Sequence, residues 1–372
     1  MRKIPFLDLR AQYDPIAEEI QRELREVCES CSFILGPKVQ AFEESFAKSI
    51  GAKHCIALNS GTSALHLAME CLKIGHGDEV IVPAMTFIAT AWGAIYNHAK
   101  IVLVDVDPAT RNLDPKKLEA AITPKTKAII PVHLYGQPAD LDPIMAIASK
   151  RGIPVIEDTA QAHLATYKGK VVGGIGLMSC FSFYPGKNLG AYGEGGALVT
   201  NDSAIDKLAR ALRDHGQAER YRHDMVGYNY RMDAFQGGVL NVKLRHLPKW
   251  STERRRVAAR YHEKLSPLVQ RGLIDIPQEP SWSSGVFHLY VVLVKNRDKV
   301  KDAMTEAGIG VGLHCPVPLH LQKCLAKLGH KRGDFPASER IADECLSLPM
   351  FPELTNDDVD HVADVLTKTL TR

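Results

Sequence analysis

A chain of 372 residues, 45% apolar and 24% charged, carries enough apolar material to bury a sizeable core and is long enough for more than one domain. With 46 basic against 43 acidic residues the formal net charge is +3, which gives nucleic-acid binding no compositional support. No apolar run approaches a membrane span, and Met1 to Arg10 lacks the pattern of a secretory signal, so a cytoplasmic protein is expected.

An amphipathic pattern predicts a helix over Asp14 to Cys28, ending at a single C-x-x-C formed by Cys28 and Cys31. No second pair stands nearby, so these two, with Cys55, Cys71, Cys180, Cys315, Cys324 and Cys345, read as free thiols, and no metal-ligand spacing is found. From about Gly51 to Ala211, strand and helix signals alternate. The expected strands are Cys55 to Leu58, Glu79 to Val82, Ile101 to Val104, Ala128 to Val132, Val155 to Glu157, Met178 to Phe183 and Ala197 to Thr200. Helical segments between them imply an α/β fold with a mostly parallel sheet.

A long helical stretch follows from Asp233 to about Leu268, with Pro248 expected to break it in two and Arg254-Arg255-Arg256 expected on its solvated face. A strand at Phe287 to Val294, a helix at Lys299 to Ala307 and a terminal helix near Asp357 to Leu370 read as a smaller α+β domain. The expected division is a large domain over residues 1–250, with an N-terminal helical segment, and a small C-terminal domain over 251–372.

Lys187 lies in Ser182 to Gly196 (SFYPGKNLGAYGEGG), just after a predicted strand, on a glycine-rich loop from which its amine can reach into a cavity. Desolvation or nearby positive charge lowers a lysine pKa and makes it a nucleophile able to form a Schiff base with an aldehyde. Asp158 ends the apolar run Val155-Ile156-Glu157, at the strand edge where open α/β sheets carry ligands. A carboxylate there favours a protonated pyridine nitrogen by about 1 to 3 pKa units, each worth roughly 1.4 kcal/mol. Between the strand at Cys55 to Leu58 and the helical run Ala64 to Met69 stands Asn59-Ser60-Gly61-Thr62-Ser63, whose backbone N–H groups and hydroxyls can cradle a phosphate. Singly, each has a plainer reading: a solvated loop lysine, a carboxylate capping a helix, a serine N-cap. Together they point to a pyridoxal phosphate enzyme.

These segments resemble the DegT/DnrJ/EryC1/StrS family of sugar aminotransferases, which have the type I aspartate aminotransferase fold. The likeness extends from Pro5-Phe6-Leu7-Asp8-Leu9 and Phe33 to Pro37 through Asn59 to Ala64, Glu157 to His163, Ser182 to Gly196 and His215-Gly216 to Asn229-Tyr230-Arg231-Met232-Asp233. It implies a type I PLP-dependent transferase fold with helices on both faces of the sheet. It further implies that Lys187 carries the cofactor and shuttles the proton, Asp158 pairs with the pyridine nitrogen, Gln161 bonds the phenolic oxygen and Phe87 stacks on the ring. By the same resemblance Gly61, Thr62 and Ser182, with Ser63 as a further hydroxyl, hold the phosphate, and Asn229 reaches it from the other subunit of a homodimer. Phe87 also reads as a core aromatic, Gln161 as an exposed helix residue and Asn229 as a turn residue.

Substrate recognition is expected from Tyr221, Arg222 and His223, which follow Arg220 in a polar loop suited to a nucleotide diphosphate. Gly312 to Gln322 resembles the family's sugar-proximal loop, with His314 and His320 in it and Cys315 where the family commonly has tyrosine. His163 and Tyr184 are further candidates for the sugar. Gly186 before Lys187 and the run Gln161-Ala162-His163 are similar to members that aminate C3 of a thymidine diphosphate 3-keto-6-deoxyhexose. The implied reaction takes the amine from glutamate, releases 2-oxoglutarate and passes through pyridoxamine 5'-phosphate. The alternatives are a C4 aminotransferase, a sugar dehydratase, which in this family has histidine in place of the lysine, and a non-catalytic regulatory homologue.

Overall fold

The computed structural model describes residues 2–371. Seven strands, β1 (His54–Leu58), β2 (Glu79–Pro83), β3 (Lys100–Val104), β4 (Thr126–Ile129), β5 (Ile156–Asp158), β6 (Met178–Ser182) and β7 (Gly196–Thr200), make up the central sheet. Ladders join β3-β2-β4 and β5-β6-β7-β1, and parallel bridges from Ile129 to Val155 and from Val132 to Asp158 connect the two groups. The sheet order is therefore β3-β2-β4-β5-β6-β7-β1. Of these strands β7 alone runs opposite to the other six, so the expected mostly parallel α/β sheet is present.

Strand side chains alternate between two cores, as a period of two requires. Ile56, Leu58 and Cys180 enter the core with Leu67 and Met69 of helix α1 (Gly61–Cys71). Cys55, Ala57, Phe181 and Phe183 enter the opposite core, where Phe46 meets both phenylalanines edge to face at 4.9 and 5.3 Å. Burial on both faces explains why these strands read as continuous apolar runs.

Helix α2 (Ala234–Gln270) is one unbroken element of 37 residues containing both Pro248 and Pro267, which corrects the expected break at Pro248. A proline within a helix costs about 3 kcal/mol. Burial of Leu244, Leu247 and Trp250 against the sheet core, on either side of Pro248, offsets it. Beyond Trp250 the same helix turns Val257, Tyr261 and Leu265 into a second core with the antiparallel strands β8 (Ile274–Asp275), β9 (Tyr290–Val294) and β10 (Cys345–Leu348). Ile4 joins that second core from the N-terminal end.

The arginine run is not a solvated face. Arg254 is 2% exposed, and its Nη1 donates to the carbonyls of Phe287 (2.9 Å), His288 (3.3 Å) and Met350 (3.1 Å). Arg255 reaches the Gly285 carbonyl at 2.9 Å and Arg256 that of Leu354 at 2.6 Å. Carbonyls left free at the ends of the second core's segments take these cations, a partner that the local sequence does not reveal. Among the described residues, no helix is long and apolar enough to cross a membrane.

Candidate active site

Three chain segments meet at one end of the sheet. Asp158 ends β5, Ser182 ends β6, and Leu58 ends β1 before the chain turns into α1. Gly196, at the start of β7, lies opposite both Leu58 and Ser182. A Cβ on Gly196 would stand 2.2 Å from the Ser60 carbonyl carbon, and one on Gly61 would stand 2.8 Å from the Ser182 Cβ. Only glycines let the α1 N-terminus sit this close to the strand ends.

Ser60 caps α1, accepting from the Ser63 N–H at 3.0 Å. The N–H groups of Gly61 and Thr62, in the first turn, have no partner inside the helix. The Ser63 hydroxyl donates to Asn59 Oδ1 at 2.7 Å and lies 2.8 Å from Ser60 Oγ, so it is spent on the turn itself. Donors for an anion here are thus the backbone of Gly61 and Thr62 with the Thr62 and Ser182 hydroxyls.

Asp158 is 4% exposed. Its Oδ2 accepts from Thr90 Oγ1 at 2.7 Å and its Oδ1 from the Ala160 N–H at 3.1 Å. Burial holds its pKa above the ordinary carboxylate value, with these hydrogen bonds and the Lys187 charge pulling the other way. It makes no ion pair among the described residues, so a buried carboxylate is left without a cation in contact.

Lys187 sits on a tight loop in which its N–H donates to the Tyr184 carbonyl at 2.8 Å and Ala191 returns to Phe183 at 2.8 Å. Burial lowers its amine to about 8, opposed by the field of Asp158. An amine so placed is partly neutral near physiological pH. The loop is held at two further points. Lys243 of α2, fully buried, donates to the Gly190 carbonyl at 2.5 Å, and Asn188 donates to the Val286 carbonyl at 2.9 Å.

Around Lys187 the imidazoles are held neutral. Burial and the lysine charge push His163 down to about 3, and they also lower His288 and His314. His163 is fully buried with its Nε2–H donating to the Ser182 carbonyl at 2.9 Å, which leaves Nδ1 buried without a partner. His314 bonds Ser347 Oγ at 2.8 Å and stacks on Phe6. Gln161 accepts from the Tyr135 N–H through Oε1 at 2.7 Å, leaving its amide N–H groups to donate elsewhere.

The remaining expected residues lie differently. Phe87 and Tyr184 are exposed, at 58% and 56%. Tyr221, Arg222 and His223 stand on an exposed hairpin formed by Gln217–Glu219 and Arg222–His223. Asn229 is exposed and accepts from Arg231 Nε at 3.2 Å. His320 is 2% exposed and bonded to Glu339 at 2.9 Å, inside a knot where Glu339 also takes the Gly333 N–H. Thr90, Asn188, Lys243, Tyr135 and His288 were not legible as site residues. The one hint was Thr90 spaced one helical turn from Thr86, whose hydroxyls meet at 2.8 Å.

A family model described as the DegT/DnrJ/EryC1/StrS aminotransferase family matches residues 14–367. The chain is 46% identical to a "pleiotropic regulatory protein" of Geobacillus stearothermophilus, covering 97% of each chain. It is 44% identical to the UDP-N-acetyl-3-dehydro-alpha-D-glucosamine 3-aminotransferase of Acidithiobacillus ferrooxidans, over 99% of this chain and 98% of that one. Among solved structures, DesV of S. venezuelae in complex with a ketimine intermediate superposes with a TM-score of 0.96 at 39% identity, with both chains fully covered. NtdA of Bacillus subtilis with bound cofactor PMP superposes at 0.93, with 29% identity over all of this chain and 86% of that one. With Lys187 and Asp158 gathered at one end of a sheet of this order and the family model matched over nearly its whole length, the chain belongs to the DegT/DnrJ/EryC1/StrS aminotransferase family.

Proposed function

We propose that this aminotransferase uses pyridoxal 5'-phosphate to move the amino group of glutamate onto a nucleotide-linked keto sugar, at C3 of a dTDP-3-keto-6-deoxyhexose. The observation that carries the reading is the buried, unpaired Asp158 carboxylate facing a lysine whose amine is lowered to about 8. A pyridinium nitrogen supplies the cation that Asp158 lacks, and a phosphate suits the donors at Gly61, Thr62 and Ser182. Lys187 would hold the aldehyde carbon, Gln161 would donate its free amide N–H to the phenolic oxygen, and Phe87 would cover the ring. When bound, the cofactor supplies an electron-withdrawing ring that stabilises negative charge on the substrate carbon.

In this reading Asp158 keeps the ring nitrogen protonated, and its own burial keeps water from screening that pair. Lys187 would be the base that takes the proton from the donor's α-carbon and the acid that gives it back. In the second half it moves a proton in the opposite direction. The neutral imidazoles of His163, His288 and His314 leave the lysine as the group that changes charge near neutral pH.

C3 is supported by Gln161-Ala162-His163, by Gly186 before Lys187, and by a relative whose name places its reaction at C3. Tyr221, Arg222 and His223 serve the nucleotide, and His163, Tyr184 and His314 remain the candidates around the sugar, while His320, bonded to Glu339, supports the loop that carries His314. A homodimer with shared sites accounts for the exposed Phe33, Ile34, Phe87, Tyr184 and Val226, and for the outward-facing Asn229, which serves the partner's phosphate. Residues 1–250 and 251–372 act as the large and small domains, in a cytoplasmic enzyme.

The test is a panel of nucleotide keto sugars, dTDP- and UDP-linked, 3-keto and 4-keto, with glutamate as donor and product analysis by mass spectrometry and NMR. Amine at C3 of the dTDP sugar is the expected result. A C4 amine, a deoxysugar, or no cofactor uptake identifies the C4 enzyme, the dehydratase or the regulator instead. Lys187→Arg is expected to lose both the visible absorption band of the loaded protein and turnover.

A further inference from the structure

Away from Lys187, a cavity of about 20 Å³ lies where Arg111, the segment Leu134 to Gln137 and the segment Gly285 to Leu289 meet. That volume holds one small ion or a water molecule or two. Arg111 is 4% exposed, and its Nη1 donates to the Val291 carbonyl at 2.6 Å. Its Nε is buried without a partner, and so is the Nε2 of Gln137, which lines the same cavity.

Most of the backbone acceptors nearest the two orphaned donors are already taken. The carbonyls of Leu134, Tyr135, Gly136 and Gln137 already accept from Gln137 N, Leu289 N, Val286 N and Asn112 Nδ2 respectively. Those of Gly285 and Phe287 accept from Arg255 and Arg254. The Thr110 hydroxyl is turned to Asp107 and the Tyr135 hydroxyl to the His314 carbonyl. No carboxylate forms an ion pair with Arg111 among the described residues, and Asp275, the acid that acts on it from a distance, is held by Arg340 at 2.5 Å. A buried guanidinium with an unsatisfied N–H and no counter-charge calls for an anion.

We propose that this cavity binds a small monovalent anion of the halide class, held by the Arg111 guanidinium and the Gln137 carboxamide. A water satisfies the two donors but not the charge. The wall it occupies includes Tyr135, whose N–H holds Gln161 Oε1, so the anion braces the far side of the segment that holds Gln161 in place.

The experiment measures Tm of the cofactor-loaded protein as gluconate, too large for the cavity, is exchanged for chloride or bromide at constant ionic strength. The expected result is a saturable rise, about 2 °C at a halide concentration roughly tenfold above its midpoint. Arg111→Leu is expected to remove the response. Gln137→Glu places a carboxylate beside Arg111 and is expected to abolish the response while raising Tm in gluconate, which keeps the test open if the leucine variant fails to fold. Bromide-soaked crystals of the wild type are expected to show an anomalous peak within hydrogen-bonding distance of Arg111 Nε and Gln137 Nε2. A non-saturating response, one that Gln137→Glu leaves unchanged, or a cavity without the bromide peak would overturn the assignment.

Discussion

The Thr90 hydroxyl donates a 2.7 Å hydrogen bond to Oδ2 of Asp158, and Thr86 stands behind it at 2.8 Å. This contact ties the helix Ala89–Tyr96 to the tip of β5 and fixes the carboxylate in a pocket that otherwise penalises its charge. Thr90 stabilises the charged form, so its loss raises the Asp158 pKa and weakens the pair with a pyridinium. Thr90→Val keeps the shape and removes the donor. Such a hydrogen bond to a charged group is worth about 1.5 to 3 kcal/mol, and turnover is expected to fall roughly 10- to 100-fold with the fold retained. Steady-state kinetics with circular dichroism checks it.

Asp158→Asn removes the charge while nearly conserving volume. Turnover is expected to fall by roughly 100-fold or more, the scale for losing one preorganised electrostatic partner. Thermal stability of the cofactor-free protein is expected to hold or rise, because the variant no longer buries an unpaired carboxylate. Equal loss of stability and activity would show that Asp158 is structural.

The Lys187 amine has a sign that can be measured. In the cofactor-free protein its pKa is lowered from 10.5 to about 8, so the unfolded chain binds this proton more tightly than the folded one. The contribution of this group to stability is therefore smallest below pH 8 and recovers as pH rises from about 8 through 10.5. Acylation of Lys187 by a small reagent, followed by peptide mass spectrometry, is expected to accelerate through a midpoint near pH 8. Asp158 raises this pKa, so Asp158→Asn is expected to move the midpoint down. An unchanged midpoint would show that the two groups do not interact.

Gly196→Ala places a methyl 2.2 Å from the Ser60 carbonyl carbon and 2.5 Å from the Gly61 nitrogen. These are backbone atoms, so the α1 N-terminus must shift. A loss of about 1 to 3 kcal/mol in stability is expected, with cofactor affinity weakened more than stability alone explains. Calorimetry and fluorescence titration with pyridoxal phosphate separate the two effects.

Arg254→Leu leaves the carbonyls of Phe287, His288 and Met350 without their donor. Destabilisation of about 2 to 4 kcal/mol is expected, moderated because an unpaired buried charge is lost with it. Chemical denaturation is the check, with Arg256→Leu, on a partly exposed residue, expected to cost less.

The strands were legible because each is an apolar run bounded by turn residues: β1, β2, β3, β5, β6 and β7 fall within one residue of where the pattern places them, and β4 lies two to three residues earlier than its expected Ala128 to Val132. The continuity of α2 through Pro248 was not, because packing of Leu247 and Trp250 outweighs a local propensity. The same limit governs the arginine run, where hydrophilicity predicts solvent and only folding brings carbonyls from Phe287 to Met350 within reach.

The sequence by itself determined the alternating architecture and the chemical types at Lys187, Asp158 and Gly61, since strand periodicity, glycine turns and charge are local properties written along the chain. Tertiary structure alone decided which groups sense one another: Thr90 beneath Asp158, Lys243 beneath the Lys187 loop, and Gln161 against Tyr135. It also decided that Ser63 is spent on its own turn and that His320 is locked to Glu339. The physical reason is that pKa, hydrogen-bond satisfaction and burial depend on atoms a few ångströms away in space, and those atoms lie tens to hundreds of residues away in sequence.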